Sequence, residues 1–219
     1  MKALFLKKSL LILLAVVFVA LSLTSCKTTL KPGDKGLYDQ QKDITYNHAS
    51  TVYEAVSLVK EYGNLAVTSK ESYTLYTVPG TDPSKMLATE DYNILYATGY
   101  TMPTLLEMAP TVLHICSNAS DMLYELCRIE DTVDISSIVM AVTTGENIPY
   151  PAINPLRSYK VCFESPQYPG FYYSLTYVEY SQDLEIDGVN YGRYFLRSAF
   201  EGIFIPVGDE IHRAMGFTD

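Results

Sequence analysis

Side chains able to do chemistry are few in this chain, and their spacing gives little support to any one reaction. None of the three histidines, His48, His114 and His212, has a second ligand at a metal spacing; His114 and Cys116, two apart on an expected helix, would point in different directions. Ser57-Leu58-Val59-Lys60 matches the S-x-x-K pattern of penicillin-binding enzymes, but the further motifs and chain length those enzymes need are missing. The sequence contains no G-x-S-x-G elbow, no phosphate loop and no G-x-G-x-x-G. Glu130, Asp131 and Asp134 form an acidic cluster without the glycine and alternating ligands of a calcium loop, and read as a solvated helix-to-strand connector. A cysteine nucleophile would need the fold to bring Cys116 or Cys162 to His48 or His212. The sequence therefore predicts no catalytic residue, no metal site and no cofactor.

Cysteine and tyrosine carry more information. Three cysteines follow Cys26, namely Cys116, Cys127 and Cys162, and an odd number cannot pair completely within one chain. On a shared helix, Cys116 and Cys127 would stand about 16 Å apart, beyond the reach of a disulfide. All three are expected to be small buried hydrophobes. Tyrosine is abundant, with 19 residues against no tryptophan. Between Tyr159 and Phe204 lie 13 aromatic residues, and because strands alternate their faces about half of these must point away from a core. Exposed tyrosines make good contact surfaces, with a rigid apolar body and a polar tip. Tyr172, Tyr177, Tyr180, Tyr191 and Tyr194 are the expected binding residues; the competing expectation is a sheet face finished under a helix.

At the N-terminus, Lys2, Lys7 and Lys8 precede an almost wholly aliphatic run from Ser9 to Leu23, a positive segment followed by an apolar one. No charge lies between Lys8 and Lys27, enough for a spanning helix, but the run ends on Leu23-Thr24-Ser25-Cys26. These residues resemble the lipobox of bacterial lipoprotein precursors, with Thr24 departing from the commoner alanine or serine. The resemblance covers only the first 26 residues. It implies a signal peptide over 1–25, cleavage before Cys26, a diacylglyceryl thioether on that cysteine and acylation of the new amino terminus. Two or three chains anchor firmly, since each buried methylene contributes about 0.8 kcal/mol. Lys27, in place of aspartate, implies outer-membrane sorting where enteric rules apply.

Cleavage would remove three basic residues and no acid, leaving 13 basic against 25 acidic residues, a formal charge of −12. A chain so acidic repels nucleic-acid phosphates, so nucleic acid is excluded as an expected partner. The 194 residues left are enough for one domain with a sizeable core.

Residues 26–46, rich in Lys, Pro and Gly and without apolar period, are expected to be a flexible tether, and 47–219 a single α+β domain. Ala49, Val52, Val56 and Val59 predict a helix over about 48–62, and Thr104 with Glu107 opens a longer one over about 104–127, kinked at Pro110. Asp82-Pro83 suggests a short helix through Leu87. Strands are expected over Leu65–Val78, Tyr92–Tyr100, Ile135–Val142, Tyr159–Phe163 and 202–207, with a terminal helix around Ile211–Met215. Asp187-Gly188 predicts a hairpin with Ile186 opposite Val189, Leu184 opposite Tyr191, Tyr180 opposite Phe195 and Val178 opposite Arg197. The expected architecture is α+β, helices packed on an antiparallel sheet.

Together these features predict an extracytoplasmic lipoprotein of the bacterial envelope, tethered through Cys26 and acting by non-enzymatic binding of an envelope protein or surface ligand. The alternatives are a small envelope hydrolase with an unrecognised site, or a purely structural envelope component.

Overall fold

The computed structural model describes residues 28–33, 36–66, 72–119, 122–198 and 200–217, and the expected signal segment and Cys26 lie outside them. The first half is a closed barrel. Its strands are β1 (Thr28–Gly33), β2 (Gly36–Asp39), β3 (Ile44–His48), β5 (Glu61–Ala66), β6 (Ser72–Thr77), β7 (Met86–Thr89) and β8 (Ile94–Ala97), in the order β1-β2-β3-β8-β7-β6-β5. Every pairing is antiparallel except β1 with β5, which closes the ring. Alternation turns Leu30, Leu37, Tyr46, Leu75, Leu87, Leu95 and Ala97 into the lumen, which they fill as a core.

The second half is a seven-stranded antiparallel sheet. It runs β10 (Met122–Ile129), β9 (Val112–Ala119), β11 (Arg157–Glu164), β12 (Phe171–Glu179), β15 (Tyr194–Ser198) and β16 (Ile203–Pro206), with the short β4 (Tyr53–Ala55) also paired to β12. One face carries Leu113, Ile115, Val161, Phe163, Leu175, Tyr177 and Leu196, and packs against α2 (Thr132–Thr144) and α3 (Glu210–Ala214) through Ile135, Ile138, Val139 and Ile211. The one-turn helix α1 (Leu105–Met108) lies between the halves. Phe171 and Met108 join Met86, Ala88 and Ile94 from the outside of the barrel in a shared apolar cluster. Among the described residues no helix is long and apolar enough to cross a membrane.

Helices do pack on an antiparallel sheet, but sheet dominates and both long predicted helices are absent. Over 48–62 the chain is extended: Ala49 donates to Ile94, Ala55 to Tyr92, and β4 pairs with β12. Val52 is buried there while Val59 is exposed, so the helical stripe never lay on one side. Thr51, Val52, Val56 and Val59 are β-branched, and available strand partners overrule their spacing. Over 104–127 the Thr104–Glu107 capping box forms, but the helix stops at Ala109, whose φ is +46°, and the hairpin β9–β10 follows. The expected strand Ile135–Val142 is instead α2; Asp131 caps it by accepting from Val133 and Asp134, and Ile135, Ile138, Val139 and Val142 sit at helical spacing. The acidic connector thus joins strand to helix. Asp82-Pro83 opens a turn into β7 rather than a helix. Most of the expected tether, 26–46, is strand: it supplies β1, β2 and the greater part of β3 of the barrel.

The hairpin β13 (Glu185–Ile186) and β14 (Val189–Asn190) turns at Asp187 and Gly188, both at positive φ, with Ile186 opposite Val189 as expected. Tyr191 donates to Leu184, but beyond them the register moves by two residues: Val178 faces Phe195 and Thr176 faces Arg197. The arm 180–184 is two residues longer than 191–193, which detaches the hairpin as its own small sheet and leaves every side chain on its expected face.

Candidate functional site

Strand alternation gives the seven-stranded sheet a second face, on which none of the described helices packs. It carries His114 and Cys116 from β9, Glu125 and Arg128 from β10, Lys160, Cys162 and Glu164 from β11, Tyr172, Ser174 and Thr176 from β12, Glu54 from β4 and Arg197 from β15. This face is polar over β9, β10, β11 and the first part of β12; beyond Thr176 it carries a buried apolar cluster of Val178, Tyr180, Phe195 and Phe204 with Ile148 and Leu184.

A notch opens on this face because β4 and β15 share one edge of β12 without meeting. β4 pairs with residues 171–173 and β15 with residues 176–179. The gap holds a cavity of about 470 Å³ lined by Thr51, Glu54, Lys160, Thr176, Arg197 and Phe200 among others. Lys160 reaches across β12 to pair with Glu54. Arg197 donates to the Tyr150 hydroxyl and lies over its ring, and among the described residues it is paired with no carboxylate. Glu201 accepts from the Thr51 amide and hydroxyl, each at 3.1 Å, and so closes the rim. Two cations and one acid line this cavity in a chain whose formal charge is −9. Its size suits a small molecule.

Beside the notch, His114 is held at both nitrogens: Nδ1 lies 2.5 Å from Glu125 and Nε2 2.6 Å from Glu164, with Tyr172 packed against the ring. Burial works to lower the imidazole pKa, but the two carboxylates outweigh it and the net shift is upward. Glu125 is held low, first by its bond to His114 and then by Arg128. With both ring nitrogens engaged, His114 is poorly placed to serve as a general base.

Cys116 and Cys162 lie beneath these longer side chains, both buried. Cys116 faces Lys160 and Cys162 faces His114, so the two thiols are diagonal neighbours across β9 and β11. Diagonal α-carbons stand roughly 7–8 Å apart, longer than a disulfide spans. The Cys162 thiol donates to Cys116, and that bond together with burial pushes its pKa up, out of the thiolate range. Cys127 is half-buried on the helix-covered face, against Met215. Among the described residues no group of three or more His, Cys, Asp or Glu is arranged to hold a metal ion.

The five expected tyrosines do not form one surface. Tyr177 is fully buried and Tyr194 half-buried on the helix-covered face, stacked on each other, with Tyr194 against His212 of α3. Beneath that helix, Glu179 accepts from both Arg157 (2.9 Å) and Tyr177, and lies 3.2 Å from His212. Tyr180 is buried against Phe195, and burial pushes its pKa up to about 12. Tyr191 packs at the edge of the same cluster, which occupies the far end of the second face, and only Tyr172 borders the polar part of that face. Tyr177 and Tyr180 are therefore core residues, because their strand places them under α3 and against Phe195.

The histidine cluster escaped sequence reasoning because 104–127 read as a helix, where residues two apart diverge, and the notch because 48–62 read as a helix and its other walls come from strands far apart in the chain. The available signal was the alternation Leu113, Ile115 against His114, Cys116. Comparison of the chain with family models, curated proteins and solved structures finds no match.

Proposed function

We propose that this chain is a lipid-anchored protein of the bacterial envelope that acts by binding, taking a small polar ligand with an anionic group into the notch between β4 and β15. The anchor rests on the signal-like N-terminus and Cys26. The binding role rests on one observation above all: Arg197 and Lys160 line a cavity of about 470 Å³, and Arg197 has no carboxylate partner among the described residues. A planar guanidinium held by Tyr150 is well suited to receive a carboxylate or phosphate through two parallel bonds. Placing the ligand here moves the binding residues away from the tyrosines, of which Tyr172 and the buried Tyr180 lie on the same face.

Two measurements test the two halves of this reading. Intact mass of the protein purified from bacterial membranes should show cleavage before Cys26 plus two or three acyl chains, both lost in Cys26→Ser. Thermal unfolding with succinate, citrate, galacturonate, phosphate and neutral glucose should show at least one anion raising Tm. At a hundredfold excess over Kd the rise should be roughly 5–10 °C, and it should disappear in Arg197→Gln. If no anion shifts Tm, or Arg197→Gln responds like the wild type, the notch is not an anion site.

A further inference from the structure

Lys27 is the only residue between Cys26 and β1, so even a fully extended chain holds Thr28 within about 7 Å of the Cys26 α-carbon. If Cys26 carries lipid, the barrel sits directly on the bilayer, and strand register identifies which end. Thr28 faces Gly63 near the start of β5, and Leu30 faces Asp39 at the end of β2. Glu61 faces Tyr76, Thr77 faces Leu87, and Met86 and Tyr46 face Tyr96 and Ala97. The turn at 40–43, the stretch 56–60, the connection 78–85 and residues 98–100 therefore share the barrel end at which β1 begins.

We infer that this end is a membrane-contacting surface whose partner is the lipid headgroup layer, and that the notch opens away from the bilayer. The inference rests on the lipid anchor proposed above. Lys42, Lys60 and Lys85 are exposed at this end, alongside Val59, which is 65% exposed. Asp39, Asp43, Glu61 and Asp82 offset the three lysines to a formal −1, so nearly all of the net charge of −12 on the mature chain lies elsewhere. An anionic headgroup layer repels this end least, while carboxylates more than about 10 Å from it are screened. The surface is firm: buried Asp39 accepts from the amides of Gln41 (2.9 Å) and Lys42 (3.2 Å) and from the Tyr62 hydroxyl (2.7 Å), which fixes the 40–43 turn. Asn93, which borders the notch, lies in the β7–β8 turn at the opposite end.

The test uses full-length protein, lipidated in bacteria and reconstituted into vesicles of phosphatidylethanolamine and phosphatidylglycerol. In a Cys127→Ser background, a fluorophore is placed at Val59→Cys or at Phe200→Cys, the latter beside the notch; both positions are exposed, and Lys60→Cys serves as a second probe of the membrane end. Nitroxide carried on lipid headgroups should quench the probes at 59 and 60 severalfold more than the probe at 200. Equal quenching, or stronger quenching at 200, overturns the orientation. Intact mass on the same samples separates the failures: protein without acyl chains overturns the anchor and the orientation together, whereas acylated protein with open probes at 59 and 60 overturns the orientation alone.

Discussion

The two faces of the seven-stranded sheet are made by the same strands, yet they do opposite work. On β11, Val161 and Phe163 point into the core under α2 and α3, while Lys160, Cys162 and Glu164 point the other way, onto a polar face with a cavity. β12 repeats the pattern with Leu175 and Tyr177 against Ser174 and Thr176. The second face packs only at its far end, where Val178, Tyr180, Phe195 and Phe204 form a small apolar cluster; over β9, β10, β11 and the start of β12 it is free of that demand and can hold charge near water without the full cost of burying it. Stability and recognition are thus divided across one layer of backbone.

The division breaks most visibly from the covered side. Phe163→Ala, at a fully buried position, should cost about 3–5 kcal/mol in urea unfolding; a loss below about 1 kcal/mol would mean that this face is not the core. On the open face, Lys160→Met leaves Glu54 without its partner, and because both side chains keep some exposure the cost should be about 1–2 kcal/mol. A double-mutant cycle with Glu54→Gln should recover most of it, and simple additivity would show the pair to be uncoupled. Gly188→Ala lies outside both faces, at the tip of the detached hairpin where φ is +78°, and should cost about 1 kcal/mol without altering ligand response.

The smallest effect is the pH dependence of the histidine cluster, below about 1 kcal/mol because Glu125 and Glu164 are largely solvated. The folded pKa of His114 is raised above 6.5, so its contribution is complete below that pH and is lost as pH rises through the folded value. Glu125 is depressed below 4.5, so its share is present above that value and is lost as pH falls through the depressed one. Wild type should therefore exceed His114→Asn in urea midpoint most clearly between these limits. An NMR titration placing His114 at or below 6.5 would rule this account out.

Much of the last third was legible in the sequence: β11, the Asp187-Gly188 tip, β16 and α3 all appear where patterning places them. These elements depend on local chemistry, such as positive φ at Asp187 and Gly188 or a two-residue alternation with few rivals. The middle of the chain was not legible. Residues 112–126 satisfy both a helical stripe and a strand alternation, and Ile135–Val142 reads as a strand although its spacing and the Asp131 cap are helical. A one-dimensional pattern cannot rank these alternatives, because the free energy that chooses between them comes from partners far along the chain.

Composition and local turn chemistry settled the acidic character, the signal-like N-terminus and the late hairpin, whereas the expected surplus of aromatic residues over buried places did not materialise: of the 13 between Tyr159 and Phe204 only Phe200 is exposed. Only the tertiary structure decided that Tyr177 and Tyr180 belong to the core, that residues near Cys26 begin a barrel, and that His114, Lys160, Glu54 and Arg197 share one face. The reason is range: a turn or a cap is fixed by neighbours in sequence, whereas a sheet face is assembled by strands that meet across more than a hundred residues, as Glu54 and Lys160 do.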